Sequence, residues 1–118
     1  MSRTNQSARA AGARFERAIA DYLAAHVDDR IDRRVRTGAK DRGDLAGWRF
    51  AGRRIVAELK DNARLDLSGW VREAQTEKGN DDAHVALVIH KRRGVADPGE
   101  QYVTTTLREL LALLGIEA

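Results

Sequence analysis

Ile55-Val56-Ala57-Glu58-Leu59-Lys60 is the stretch whose reading decides the fold of this chain: an apolar run of strand length that carries one acid and one base two residues apart. Side chains of a β-strand alternate faces, so Glu58 and Lys60 point the same way and set a carboxylate beside an ammonium. Asp44 precedes the run by a hairpin-like spacer with a turn at Ala51-Gly52-Arg53. If Asp44 begins the preceding antiparallel strand, it comes to lie beside Glu58. Two hard carboxylates so placed repel unless a cation sits between them, and Mg²⁺ is the cation that such oxygens hold while it keeps several waters. Lys60 would then orient water or neutralise charge developing on phosphoryl oxygens, the chemistry of a metal-dependent nuclease. A third of the chain is Asp, Glu, Lys or Arg, so an acid followed by acid-x-Lys also arises on an ordinary solvated strand. The surrounding elements discriminate between the two.

Working outward, Phe15, Ile19, Leu23 and Val27 recur every four residues behind Ser7, which predicts an amphipathic helix over 8–26 capped by Ser7. Glu16 follows Phe15 and falls at the edge of the apolar stripe. Residues 31–36 read as a first strand, residues 37–43 as a loop, and residues 44–50 and 54–60 as a hairpin. Ser68 is the expected cap of a second helix carrying Trp70, Val71 and Ala74 and ending at Gly79-Asn80. His84 to His90 is a near-continuous apolar run, as in a central strand covered on both faces. A strand at 101–105 and a helix from a Thr106 cap through Leu107, Leu110, Leu111 and Leu114 to Gly115 complete the chain. The expected class is α/β, a mixed central sheet flanked by helices in the order α-β-β-β-α-β-β-α, with a mobile tail over 1–7 and a single domain over 8–118.

At 118 residues the chain suits one domain with its own core. It has no cysteine, which excludes disulfides, thiolate metal sites and cysteine nucleophiles and fits a reducing compartment. No stretch approaches a membrane span and the start has no apolar secretory segment, so a cytoplasmic protein without a membrane partner is expected. Residues 1–54 hold 13 Lys/Arg against 7 Asp/Glu, whereas residues 55–118 hold 8 against 11. The first half is therefore the candidate polyanion-facing surface. Arginine outnumbers lysine 17 to 4, which suits bidentate phosphate contacts, although GC-rich coding gives the same bias.

The element order, with acids at these places, resembles the PD-(D/E)XK nuclease superfamily, whose restriction-endonuclease-like core is α-β-β-β-α-β; the likeness spans residues 8–105. In that family a glutamate on the first helix, an aspartate at the start of the second strand and (D/E)-x-K on the third form the site, and Glu16, Asp44 and Glu58-Leu59-Lys60 match them. Gly43 stands where the family's name has proline. Phe15-Glu16-Arg17, the basic loop before Gly43-Asp44-Leu45, and Lys91-Arg92-Arg93 after the central strand are most similar to archaeal-type Holliday junction resolvases and small phage-encoded relatives. The resemblance implies a Mg²⁺-dependent endonuclease, with Mn²⁺ able to substitute, that acts on branched or double-stranded DNA as a homodimer in a bacterial cell or phage-infected host. It assigns Asp44, Glu58 and the Leu59 carbonyl to the metal, Lys60 to the attacking water, and Glu16 to the catalytic set as a carboxylate behind the metal or on a second one, an ordinary exposed helix acid being the other reading of Glu16.

Arg33, Arg34, Arg36, Lys40 and Arg42, followed by Lys91, Arg92 and Arg93, are the candidate phosphate contacts. The same cations would also serve a solvated edge that resists strand pairing. Gln75 is a further candidate for the site, and an exposed helix position is the plainer reading for it. His84 and His90 are an even six residues apart and too distant along a strand to share a metal. His26 reads as a helix-end cation, and Trp48 and Trp70 as core or dimer contacts. Two other functions fit the same residues: a general or nicking nuclease of repair or phage replication, and a non-catalytic DNA-binding module.

Overall fold

Thr4 opens the first helix: its hydroxyl accepts the Ser7 N–H, and α1 runs over Asn5–His26. The computed structural model describes residues 4–35 and 40–118. The helix thus starts before the expected position 8, the cap passes from Ser7 to Thr4, and residues 5–7 join the helix instead of the tail. Ala11, Phe15, Ile19, Ala20 and Leu23 form its buried stripe, the face that the four-residue recurrence predicts.

A short strand, β1 (Asp32–Arg33), pairs antiparallel with β2 (Leu45–Ala46), and β3 (Arg49–Phe50) pairs antiparallel with β4 (Arg53–Lys60). Two expectations need correction here. The first strand is shorter than 31–36, with Arg36 outside the described residues, and the strand expected over 44–50 is divided in two. The break is at Gly47, which has φ of 86° and lies so close to Arg30 that a Cβ would be 2.5 Å from its carbonyl oxygen. Only glycine fits that approach. Ala51 and Gly52 both have positive φ, 52° and 76°, the backbone of a two-residue hairpin turn.

Asp66, not Ser68, caps the second helix: its carboxylate accepts the Gly69 N–H at 3.2 Å, and α2 runs over Leu67–Asp81. The helix continues past Gly79-Asn80 because Asp82 supplies the left-handed residue at its end, with φ of 51°. The fully buried β5 (Val85–His90) lies parallel to β4, and after a 3-10 turn at Pro98–Glu100 the edge strand β6 (Tyr102–Thr104) returns antiparallel to it. Thr106 caps α3 (Leu107–Leu113) as expected.

The described residues form a mixed α/β fold with a four-stranded sheet in the order β3-β4-β5-β6, a separate β1-β2 pair and three α-helices. Period two sorts the central strands into two faces. Ala57, Leu59 and Ile89 pack under α1 with Phe15, Ile19, Leu23 and Leu45, and Ile55, Val85 and Leu87 meet Ala112 and Leu113 of α3. Ala86 and Val88 pack on the opposite face against Trp70 and Ala74 of α2. Val56, Glu58 and Lys60 belong to that α2 face by alternation. Among the described residues no helix is long and apolar enough to cross a membrane.

Trp70 is 4% exposed and Leu107 71%. Trp70→Ala should cost about 3–5 kcal/mol of unfolding free energy in urea titrations, and Leu107→Ala no more than about 0.5. Equal costs would contradict this placement of the core.

Candidate metal and phosphate site

Helical spacing gives α2 its sheet-facing row: Trp70, Ala74, Glu77 and Asp81 are its buried residues. The first two are apolar and fill space against β5. The last two are acids, so the same face that closes the core continues as a carboxylate wall. Glu58, 5% exposed in the middle of β4, faces this wall. Asp41, Glu58 and Glu77 each bring one carboxylate oxygen within 4.8 Å of the others. The Glu58 Oε2 is buried and has no hydrogen-bond partner, a costly state for a carboxylate oxygen unless something compensates its charge.

Lys60 is on the same face of β4. Its Nζ lies 3.7 Å from Glu58 Oε1 and 2.9 Å from Glu73 Oε2 on α2. Period two brings Lys60 to Glu58, and Glu73 holds it from the helix side. The side chain of Lys60 is 18% exposed, so one ammonium is presented at the rim of the acidic wall.

Asp44 is joined to β4 through the backbone. Its N–H donates to the Ala57 carbonyl at 3.0 Å, its carbonyl accepts the Arg34 N–H at 2.8 Å, and its Oδ2 accepts the Leu59 N–H at 2.7 Å. Asp44 thereby links the ends of β1 and β4. In an extended strand the N–H and C=O of one residue point to the same side, so the Leu59 carbonyl opens toward the Asp44 edge. Burial, with the negative charge of Asp41 and Glu73 adding to it, raises the Asp44 pKa, against the Leu59 hydrogen bond and Lys60, which lower it. Gly43 has φ of 94°, which proline cannot adopt. A Cβ there would stand 3.0 Å from Val56 Cγ1.

Glu16 on α1 is half-buried, and its pKa is raised by burial and then by Asp44, while Arg33 lowers it. Arg33 Nη2 reaches Glu16 Oε1 at 3.3 Å. Glu16 thus lies within electrostatic reach of Asp44, and Arg33 is bound to an acid. Arg34 turns to Asp81 of α2 at 3.5 Å, and so does Arg54 at 3.9 Å. Lys40 and Arg42 are exposed in the loop that leads to Asp44, and Arg36 lies outside the described residues. After β5, Lys91 donates to the Val95 carbonyl, Arg92 stands over the Tyr102 ring at 5.5 Å, and Arg93 pairs with Asp61 at 2.8 Å. These three cations line a cleft of about 320 Å³ that also has Lys60, Trp70, His90 and Tyr102 in its walls. The cleft therefore opens beside the Glu58–Lys60 pair.

Gln75 is half-buried on α2, and Trp70 is core. The histidines part company: His84 precedes β5 and lies against Arg53 and the Ala112 carbonyl, whereas His90 bonds Thr104 and lies between the Trp70 and Tyr102 rings, tilted to both. Sequence reasoning missed Asp41, Glu73 and Glu77. The signal for Glu77 was present in the continuation of the Trp70–Ala74 spacing, while Glu73 reads from its spacing as a solvated acid and Asp41 as a loop residue. Protein-family models, curated proteins and solved structures yield no match to this chain.

Burial depresses the His90 pKa below its ordinary 6.5. The neutral ring is therefore favoured in the folded chain, and its contribution to stability is present above pH 6.5 and lost as the pH falls through the depressed value. Denaturant midpoints at pH 7.5 and 5.5 should fall for the wild type and fall less for His90→Asn. A wild-type loss no larger than that of His90→Asn would refute this.

Proposed function

We propose that this chain is a divalent-metal-dependent nuclease that hydrolyses DNA phosphodiester bonds, built on a PD-(D/E)XK core and acting on branched DNA as a homodimer. The observation that carries this reading is Glu58, a carboxylate buried in a central strand with an oxygen that has no hydrogen-bond partner, on the same strand face as Lys60. A structural acid would be satisfied by donors. This one is supplied with a single distant ammonium and faces further acids, which fits a cation ligand.

Asp44, Glu58 and the Leu59 carbonyl would hold Mg²⁺, an all-oxygen donor set suited to a hard cation. When bound, Mg²⁺ would polarise a phosphoryl oxygen and make water more acidic. The residues of the chain do the rest. Asp44 is fixed by the Leu59 N–H, so its second oxygen has a defined direction. Lys60, held from both sides by Glu58 and Glu73, orients the attacking water or stabilises charge that builds on the phosphorus oxygens. Lys40 and Arg42, exposed before Asp44, and Arg92 at the cleft beside Lys60 meet the DNA backbone. Preference for a four-way junction and the paired subunits rest on the likeness to resolvases. A symmetric junction needs two cuts related by a two-fold axis, and one chain offers one site.

Cleavage of a four-way junction, a matched duplex and supercoiled plasmid, each with Mg²⁺, Mn²⁺ or EDTA, tests the reading. Paired nicks in the junction are expected, abolished by EDTA and slowed about a hundredfold or more in Glu58→Ala and Lys60→Ala, with circular dichroism confirming that both variants fold. Cleavage of all three substrates would leave a general nuclease. DNA binding that survives EDTA without cutting of any substrate would leave a binding module. For DNA binding itself, Arg42→Ala should lower the slope of log affinity against log salt by about 1; an unchanged slope, read by fluorescence anisotropy, would remove Arg42 from the interface.

A further inference from the structure

Among the described residues five carboxylates gather near Lys60. Asp41, Glu58 and Glu77 are within ligating distance of one another, Glu73 and Glu58 flank Lys60, and Asp44 senses the charges of Asp41, Glu73 and Lys60. A single cation held by Asp44, Glu58 and the Leu59 carbonyl leaves Asp41 and Glu77 outside its ligand set. We propose that Asp41, Glu58 and Glu77 hold a divalent cation of their own, beside the first, with Glu58 shared between the two.

Three observations support this site. The three oxygens lie within 4.8 Å of one another, the span of ligands around one hard cation, whose metal–oxygen distances of roughly 2.0–2.6 Å put opposite oxygens about 4–5 Å apart. The partnerless Oε2 of Glu58 belongs to a side chain that is nine-tenths buried in this cluster, and it is the atom that a cation would satisfy. The three acids also come from three separately fixed elements. Glu58 is on β4, Glu77 is on the sheet-facing row of α2, and Asp41 sits in a loop that Asn80 of α2 grips by its carbonyl at 2.8 Å. The Asp41 carboxylate is further aimed by the Gly43 N–H on Oδ1 at 2.9 Å. Because Asp41 is half-exposed while Glu58 and Glu77 are buried, the ion has an entrance and keeps waters on the Asp41 side. Oxygen ligands alone select Mg²⁺ or Mn²⁺ over softer metals.

The proposal rests on the nuclease reading only for the ion beside Asp44, and its test needs no DNA. Mn²⁺ is titrated into the full chain, with free ion counted by electron paramagnetic resonance and heats by calorimetry. Two ions per wild-type chain are expected. Glu77→Gln and Asp41→Asn should each lose one or weaken it about tenfold or more, while Asp44→Asn keeps the ion that those two lose. Asp41→Asn, at a half-exposed loop position, guards against misfolding of the buried Glu77→Gln. Wild-type titrations in both variants would overturn the site, as would loss of both ions in Asp44→Asn with neither lost in Glu77→Gln. Absence of DNA cleavage alongside the expected ion counts would sink the nuclease reading and leave the cation site standing.

Discussion

Glu58 sits in the stretch of β4 from Ile55 to Leu59 that is buried throughout, and the rest of the candidate site follows from that constraint. Taking a carboxylate from water into such a strand costs several kcal/mol unless charge or hydrogen bonds offset it. The groups around Glu58 offset only part of the cost: Lys60 stands 3.7 Å away, and one oxygen lacks a partner. Two more acids face it from a helix and a loop. Such a cluster is poor design for stability, and it is what the proposed cation would use, since preorganised oxygens would need little rearrangement to hold it.

The architecture explains how so much negative charge is held in place. β4 and β5 run parallel and are covered by α1 and α3 on one face and α2 on the other, so the buried side chains of both strands meet fixed neighbours. On α2 the sheet-facing row changes from Trp70 and Ala74 to Glu77 and Asp81 within three turns. The apolar half anchors the helix, and the anchored helix positions the acidic half. Asp44 contributes in another way, by spending its backbone and one carboxylate oxygen on strand-like bonds to β4 and the Arg34 N–H. Its placement is thus set by the sheet and not by a rotamer preference of its own.

Positive charge is distributed more conditionally than the count of arginines suggests. Arg33, Arg34 and Arg93 are engaged with Glu16, Asp81 and Asp61, and a polyanion would have to compete with those acids. Lys40 and Arg42 are exposed on either side of Asp41 in the chain, and Arg92 lies along a cleft bordered by Lys60. Phosphate contacts concentrated at these positions would run from the loop before Asp44 across the rim of the site.

The sequence by itself determined the elements whose cause is local. The four-residue recurrence in α1, the Thr106 cap of α3, the turn at Ala51-Gly52 and the pairing of Glu58 with Lys60 on one strand face all follow from the periods of helix and strand and from residues a few positions apart. Glu16, Asp44, Glu58 and Lys60 were legible as candidates for that reason. Local reading failed where a distant segment decides the outcome. Gly47 breaks the second strand because Arg30 approaches it from another part of the chain, and Thr4 and Asp66 outcompete Ser7 and Ser68 as caps, choices that short spacing leaves open. Only the tertiary structure brought Asp41 and Glu77 to Glu58. Their separation of 36 residues along the chain carries no periodic signal, and a long-range contact is set by the packing of α2 on the sheet.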